Sequence, residues 1–143
     1  MVPKLFLDTD VALDHLADRQ PFAEYAHRLF ALAETGQLVV CLSSLSFSNL
    51  HYILRKLKGR EEARRLLGQL QRLVRVSTVG EAEIRSALAS GFTDFEDAIQ
   101  HAAATAEDGV SVIVTRNRPD YAGSVLPVQS PEEYLAGLEA QGE

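Results

Sequence analysis

Lys4-Leu5-Phe6-Leu7-Asp8 (KLFLD) decides the fold of this chain. Its apolar residues run without polar alternation and stop at a carboxylate, the pattern of a short strand buried on both faces. Working outward, Leu38–Leu42 (LVVCL) and Val110–Val114 (VSVIV) read the same way. Val74–Val79 is a short strand or bridge, and Pro127–Val128 a further short strand. Helical stretches fill the intervals. Thr9 or Asp10 caps a helix over Val11, Leu13 and Leu16. Pro21 opens the next, with Phe22, Tyr25, Ala26, Leu29, Phe30 and Ala33 on one stripe up to Gly36. Ser43 or Ser44 caps a third helix, ended by Gly59, and a fourth runs from Arg60 to about Leu73. Glu81–Ala89 is a fifth. Asp94 heads a sixth, alanine-rich helix whose Phe95, Ala98, Ile99 and Ala102 face inward, and Pro131 opens a last one over Tyr134, Leu135 and Leu138. Apolar strands alternating with helices predict an α/β fold: a three-layer α/β/α sandwich around a central, mainly parallel, twisted sheet. Residues 1–138 are expected as one domain and residues 139–143 as a frayed tail.

Composition sets outer bounds. The chain has 143 residues, 46% hydrophobic and 24% charged, which suits one globular domain and excludes disorder for its bulk. No apolar run approaches a bilayer span, and no secretory leader fits the N-terminus. The lone Cys41 makes no CxxC or zinc pattern, so a reducing cytoplasmic setting is expected. The net charge of −6 excludes a uniformly basic nucleic-acid binder. Yet Arg55 to Arg75 holds eight basic residues against Glu61 and Glu62. That ridge could meet a phosphate backbone; equally, it could be a solvated helix face laced by pairs such as Glu61 with Arg65.

In a parallel sheet, ligands gather beyond the carboxyl ends of the strands. Asp8 and Asp10 follow the first strand. Ser43, Ser44 and Asn49 follow the second. Thr115, Asn117 and Asp120 follow Val110–Val114, and Asp94-Phe95-Glu96-Asp97 starts the helix that feeds that strand. Hard divalent cations take oxygen ligands, and Mg²⁺ often uses only one or two carboxylates. Without a cation, acids held that close repel one another and one takes up a proton. Each acid also has a bland reading: Asp8 and Asp94 as helix caps, Asp120 as a turn residue, Asp14 and Asp18 on a solvent face, although Asp14 could help position its neighbours. The four histidines make no metal spacing, no Ser–His–Asp set emerges, and Cys41 reads as a small core residue.

Five ordered segments carry a family likeness. Leu5-Phe6-Leu7-Asp8-Thr9-Asp10-Val11 resembles the opening D-T-N/D motif of PIN domains. Leu45 to Lys56 is similar to the third helix of one bacterial PIN subfamily, and Asp94-Phe95-Glu96-Asp97-Ala98 to its DFEDA segment. Val114 to Tyr121 resembles its T-R-N-x-x-D-F segment, and Val128 to Tyr134 its closing TPEEF. The resemblance implies a Mg²⁺- or Mn²⁺-dependent endoribonuclease, VapC-like, the toxin of a toxin–antitoxin pair, with a homodimer and a cognate antitoxin as assemblies. It places Asp8 and Asp97 at metal-ligand positions and adds Asp94 as a further acid. Asn117 or Asp120 takes the last acidic position, and Thr115 is the orienting hydroxyl. Where most such nucleases carry a third-helix Glu, this chain has Asn49.

The expected catalytic set is therefore Asp8, Asp94, Asp97 and Asp120, supported by Asn49, Thr115 and Asn117. Single-stranded or loop RNA is the expected substrate, with Arg55, Lys56, Lys58 and Arg116 as contacts. Asn49 leaves a second reading open, a catalytically weak RNA-binding or regulatory module. Asp8-Thr9-Asp10 leaves a third, a DxD phosphatase, although Ala12 and the lack of an evident partner lysine fit it poorly.

Overall fold

The computed structural model describes residues 2–142. Five strands form one sheet: β1 (Lys4–Leu7), β2 (Val39–Ser43), β3 (Val74–Ser77), β4 (Val112–Val114) and β5 (Val128–Gln129), in the order β3-β2-β1-β4-β5. Every pairing is parallel. Central β1 sets Leu5 against Val40 and Val112, and Phe6 against Cys41 and Ile113. Leu5, Phe6 and Leu7 are fully buried, as a strand covered on both faces requires.

Seven helices cover the sheet: α1 (Thr9–Leu16), α2 (Ala23–Glu34), α3 (Ser44–Lys58), α4 (Arg60–Leu73), α5 (Glu81–Ala89), α6 (Phe95–Ala106) and α7 (Pro131–Gly142), with a short 3₁₀ turn at Arg118–Tyr121. Strand alternation divides the core. Leu5, Leu7, Val40 and Leu42 pack with Leu29, Phe30, Leu50, Leu54 and Leu70 from α2, α3 and α4. Phe6, Cys41 and Ile113 face the other way, against Ala103 and Ala104 of α6 and Tyr121. Small side chains on α6 let it lie close to the sheet. The α/β/α layering expected from the strand pattern is the fold observed. Among the described residues, no helix is long and apolar enough to cross a membrane.

Boundaries differ from the sequence reading where tertiary contacts decide them. Asp8, not Thr9 or Asp10, caps α1, its carboxylate accepting from the Thr9 N–H. α2 starts at Ala23, past Pro21. β3 is a full strand in register with β2 over four residue pairs and ends at Ser77. Phe95 is 46% exposed, while Ala98, Ile99 and Ala102 do face the core. α7 extends through Gly142 and so takes in residues 139–142 of the expected tail, Glu139 pairing with Arg28 of α2. Glu143 lies outside the described residues.

Candidate active site

β2 and β4 flank β1, so chain connections diverge from the carboxyl end of β1, where such sheets leave a crevice. Asp8 stands there. Its N–H donates to the Val114 carbonyl at 2.9 Å, which ties the end of β1 to β4. Its carboxylate accepts from the Thr9 N–H (2.8 Å) on one oxygen and from the Thr115 hydroxyl (2.8 Å) on the other. Burial raises the Asp8 pKa against those hydrogen bonds, and the charge of Asp120 adds to the rise.

Two more carboxylates share this space. Asp97, in the first turn of α6, is pushed up to about 7 by burial and then by the charges of Asp8, Asp94, Asp120 and Glu96. Asp10, in the first turn of α1, is pushed up to about 7 by burial and by Asp8, with Arg116 opposing. One Asp10 oxygen accepts from the Asn117 amide (3.1 Å) and the Arg116 N–H (3.3 Å); the other is buried without a partner.

Beneath them lies a polar floor joining three helices. Gln100 of α6, 3% exposed, donates to the Thr9 hydroxyl (3.2 Å) and the Ser46 hydroxyl (3.0 Å), which themselves lie 2.6 Å apart. Ser43, which caps α3 through the Ser46 N–H, extends the chain of hydroxyls. The Gln100 carbonyl oxygen and the nearby Tyr121 hydroxyl are buried without partners. Tyr121 is driven further from ionisation by burial and by the charges of Asp8, Asp97 and Asp10.

The open cavity above this floor measures about 590 Å³ and is lined by Asp8, Thr9, Asp10, Ser48, Asn49, Tyr52, Ile53, Glu96, Asp97, Gln100 and Asn117. Of the expected site residues, Asp8, Asp97, Asn49 and Asn117 therefore meet, with Thr115 behind Asp8. Asp94 and Asp120 stand outside the lining and are exposed. Asp94 caps α6 through the Asp97 N–H (3.0 Å). Both act on the cavity through charge. Between Asn117 and Asp120, the amide is the one that lines the cavity.

The basic candidates divide. Arg55, Lys56 and Lys58 project from the last turn of α3 into solvent. Arg116 turns inward, its guanidinium donating to the Asp14 carboxylate (2.7 and 3.2 Å) and lying over the Phe22 ring. Asp14, expected on a solvent face, is buried and also receives Arg19. The ridge pairing is Glu62 with Arg65, at i, i+3, in place of Glu61 with Arg65. Asp10, read as an acid beside Asp8 but left out of the expected catalytic set, lines the cavity, as do Gln100, Tyr52 and Glu96, which the expected set also lacks. The D-T-D spacing already sets Asp10 beside Asp8. Gln100, three residues past Asp97 on one helix face, could have yielded itself too.

The donor set suits a hard divalent cation. Four carboxylates line one cavity, of which Asp8, Asp10 and Asp97 are pushed toward protonation, and one Asp10 oxygen is buried without a partner. Among the described residues, no three His, Cys, Asp or Glu side chains close into a ready cage. Mg²⁺ does not need one, since one or two carboxylates plus waters and phosphate oxygens suffice.

The chain is thus a parallel α/β domain with acids gathered beyond the carboxyl end of its central strand. The family model of the PIN domain matches residues 4–119, and the chain belongs to that family. No curated protein matches the sequence closely. Among solved structures, VapBC2 of Rickettsia felis, bound to a DNA fragment from its promoter, is 18% identical over 89% of this chain and 98% of its own, with a TM-score of 0.65. VapC20 of Mycobacterium tuberculosis, described as a sarcin–ricin loop cleaving toxin, is 20% identical over 85% and 96%, with a TM-score of 0.66. A toxin–antitoxin complex from Klebsiella pneumoniae is 19% identical over 89% and 97%, also at 0.66. At this identity the likeness shows a shared fold.

Proposed function

We propose that this protein is a Mg²⁺- or Mn²⁺-dependent endoribonuclease, a toxin acting in the cytoplasm and held in check by a cognate antitoxin. One observation carries the reading: Asp8 and Asp97, far apart in sequence, face one cavity and both resist ionisation there. When bound, the cation supplies charge stabilisation at the phosphoryl group and acidifies water. Asp8, Asp97 and Asp10 are the residues that would hold it. Thr115 and the Thr9 N–H keep the Asp8 carboxylate in one orientation. Asn117 and the Arg116 N–H do the same for Asp10, and Gln100 locks α6 to α1 and α3 beneath the site. Asp94 and Asp120 keep the cavity negative, and Asn49 offers an amide oxygen on its α3 wall.

The fold shared with toxins of VapBC pairs supports the toxin role, and the named activity of VapC20 supports RNA as substrate. A homodimer accompanies this proposal as an expectation of the family. Asn49 favours the second reading, an RNA-binding module that turns over slowly, because an amide adds no charge to the cavity. A DxD phosphatase loses ground, since no lysine lines the cavity.

The test is cleavage of a structured RNA by wild type and Asp8→Asn, each with Mn²⁺ or EDTA. Expected are Mn²⁺-dependent scission by wild type and a loss of about a hundredfold or more in the variant. Equal cleavage by the two proteins would overturn the assignment. RNA binding without scission by either would favour the module.

A further inference from the structure

Asn49, Tyr52, Ile53 and Lys56 follow the i, i+3, i+4, i+7 row of α3, so one helix face leads from the acidic cavity to the basic end of the helix. Tyr52 sits midway. The residue is 54% exposed, yet it lines the same cavity as Asp97 and Asn49. The Lys56 ammonium donates to the Tyr52 hydroxyl at 2.8 Å and lies 4.0 Å from the ring centroid. It is thus nearer the hydroxyl end than the ring centre. The Arg55 guanidinium carbon is 5.4 Å from that centroid. A single exposed aromatic carries no meaning alone. An aromatic at the mouth of an acidic cavity, with two cations over its ring and about half of the residue still open to solvent, has the parts of a single-strand nucleic-acid platform.

We propose that Tyr52 is a base-stacking subsite. An unpaired nucleobase beside the phosphodiester held in the cavity lies on the Tyr52 ring, while Arg55 and Lys56 meet the flanking phosphate. This rests on the ribonuclease reading for the cavity and adds to it where the strand leaves. Stacking on a π face accepts any base but requires it to be out of a duplex, so the subsite selects unpaired RNA rather than a sequence. Lys56, by hydrogen-bonding the hydroxyl, fixes the ring as well as offering charge.

The experiment measures binding of a short fluorescein-labelled single-stranded RNA, and of an abasic strand of the same length, by fluorescence anisotropy in EDTA; cleavage of the RNA is followed in parallel with Mn²⁺. Tyr52→Ala weakens RNA binding roughly 5- to 150-fold, the range stacking on one base gives. Tyr52→Phe stays within about twofold of wild type, because the π face remains. The abasic strand binds wild type and Tyr52→Ala alike. The subsite is overturned if wild type fails to bind the RNA, if Tyr52→Ala binds it like wild type, or if that variant loses the abasic strand by the same factor. Wild type that stacks RNA but never cuts it would refute the ribonuclease reading alone. Cutting and binding that both ignore Tyr52→Ala would refute the subsite alone.

Discussion

Asp10 and Asp97 bind their protons up to about pH 7, against an ordinary carboxylate value of 3.8, and Asp8 shifts the same way. On these carboxylates the folded protein thus holds more protons than the unfolded chain between about pH 4 and 7. Stability from these groups is fully present at low pH and is lost as pH rises through their folded values. His15 opposes them. Burial beside His27 lowers it to about 4, so its contribution is present above its unfolded value of 6.5 and lost as pH falls toward 4. Burial lowers His101 in the same direction, so the carboxylates dominate only in the window between about pH 8 and 7, before the unfolded imidazoles take up protons. The metal-free thermal midpoint should rise as pH is lowered across it. Mn²⁺ should raise the midpoint at pH 8 and progressively less on acidification, because cation and proton compete for the same oxygens. Asp97→Asn removes one source of repulsion and should lift the metal-free midpoint at pH 8 by a few degrees while abolishing most of the Mn²⁺ effect. Scanning fluorimetry reads all three, and a midpoint flat with pH in EDTA would contradict the crowding of these acids.

Between elements, one buried acid has a partner that no local pattern announces. Asp14 of α1 is 1% exposed and grips Arg116 on the loop after β4 as well as Arg19. That same loop delivers Thr115 to Asp8 and Asn117 to Asp10. Removing one partner of a buried pair leaves the rest unpaired, at about 3–5 kcal/mol when all are buried. The Arg116 and Arg19 side chains are 25% and 41% exposed, so Asp14→Ala should cost about 2–3 kcal/mol in urea unfolding. It should also slow cleavage by more than its unfolded fraction explains. A simpler strain test sits between α3 and α4. Gly59 has φ +89° and ψ 162°, a region open essentially to glycine, with nothing within 4 Å of where a Cβ would stand. Gly59→Ala should cost roughly 1–3 kcal/mol from backbone strain alone. The contrast explains what the sequence could show. β1, β2 and β4 were legible because strands buried on both faces are unbroken apolar runs, and Asp8 and Asp97 because strand ends and a helix start fix where a side chain goes. Asp14 looked solvent-facing because its partner Arg116 comes from the far end of the chain. Gln100 is one helical turn past Asp97, yet its polar floor exists only once α1, α3 and α6 meet, and the place of Tyr52 on the cavity wall likewise depends on that meeting.

Over the whole molecule, charge is divided as well as low. The chain carries −6, yet its basic residues concentrate between Arg55 and Arg75. Within that ridge, Arg65 is held by Glu62 and Arg75 by Glu107, whereas Arg55, Lys56 and Lys58 leave the end of α3 beside Tyr52. Eight of the fourteen basic residues lie on this ridge, so an RNA strand approaching the otherwise acidic chain is drawn to it first. Each phosphate neutralised on a single strand contributes about 0.7 to the slope of log affinity against log salt. Arg55→Ala with Lys58→Ala, if each meets one phosphate, should flatten that slope by roughly 1.4 and weaken binding equally for unrelated sequences. Both positions are exposed, so stability should move by no more than about 0.5 kcal/mol. Titrations of single-stranded RNA across a salt series decide it. An unchanged slope would make the ridge a solvated helix face and leave substrate capture to the cavity and Tyr52 alone.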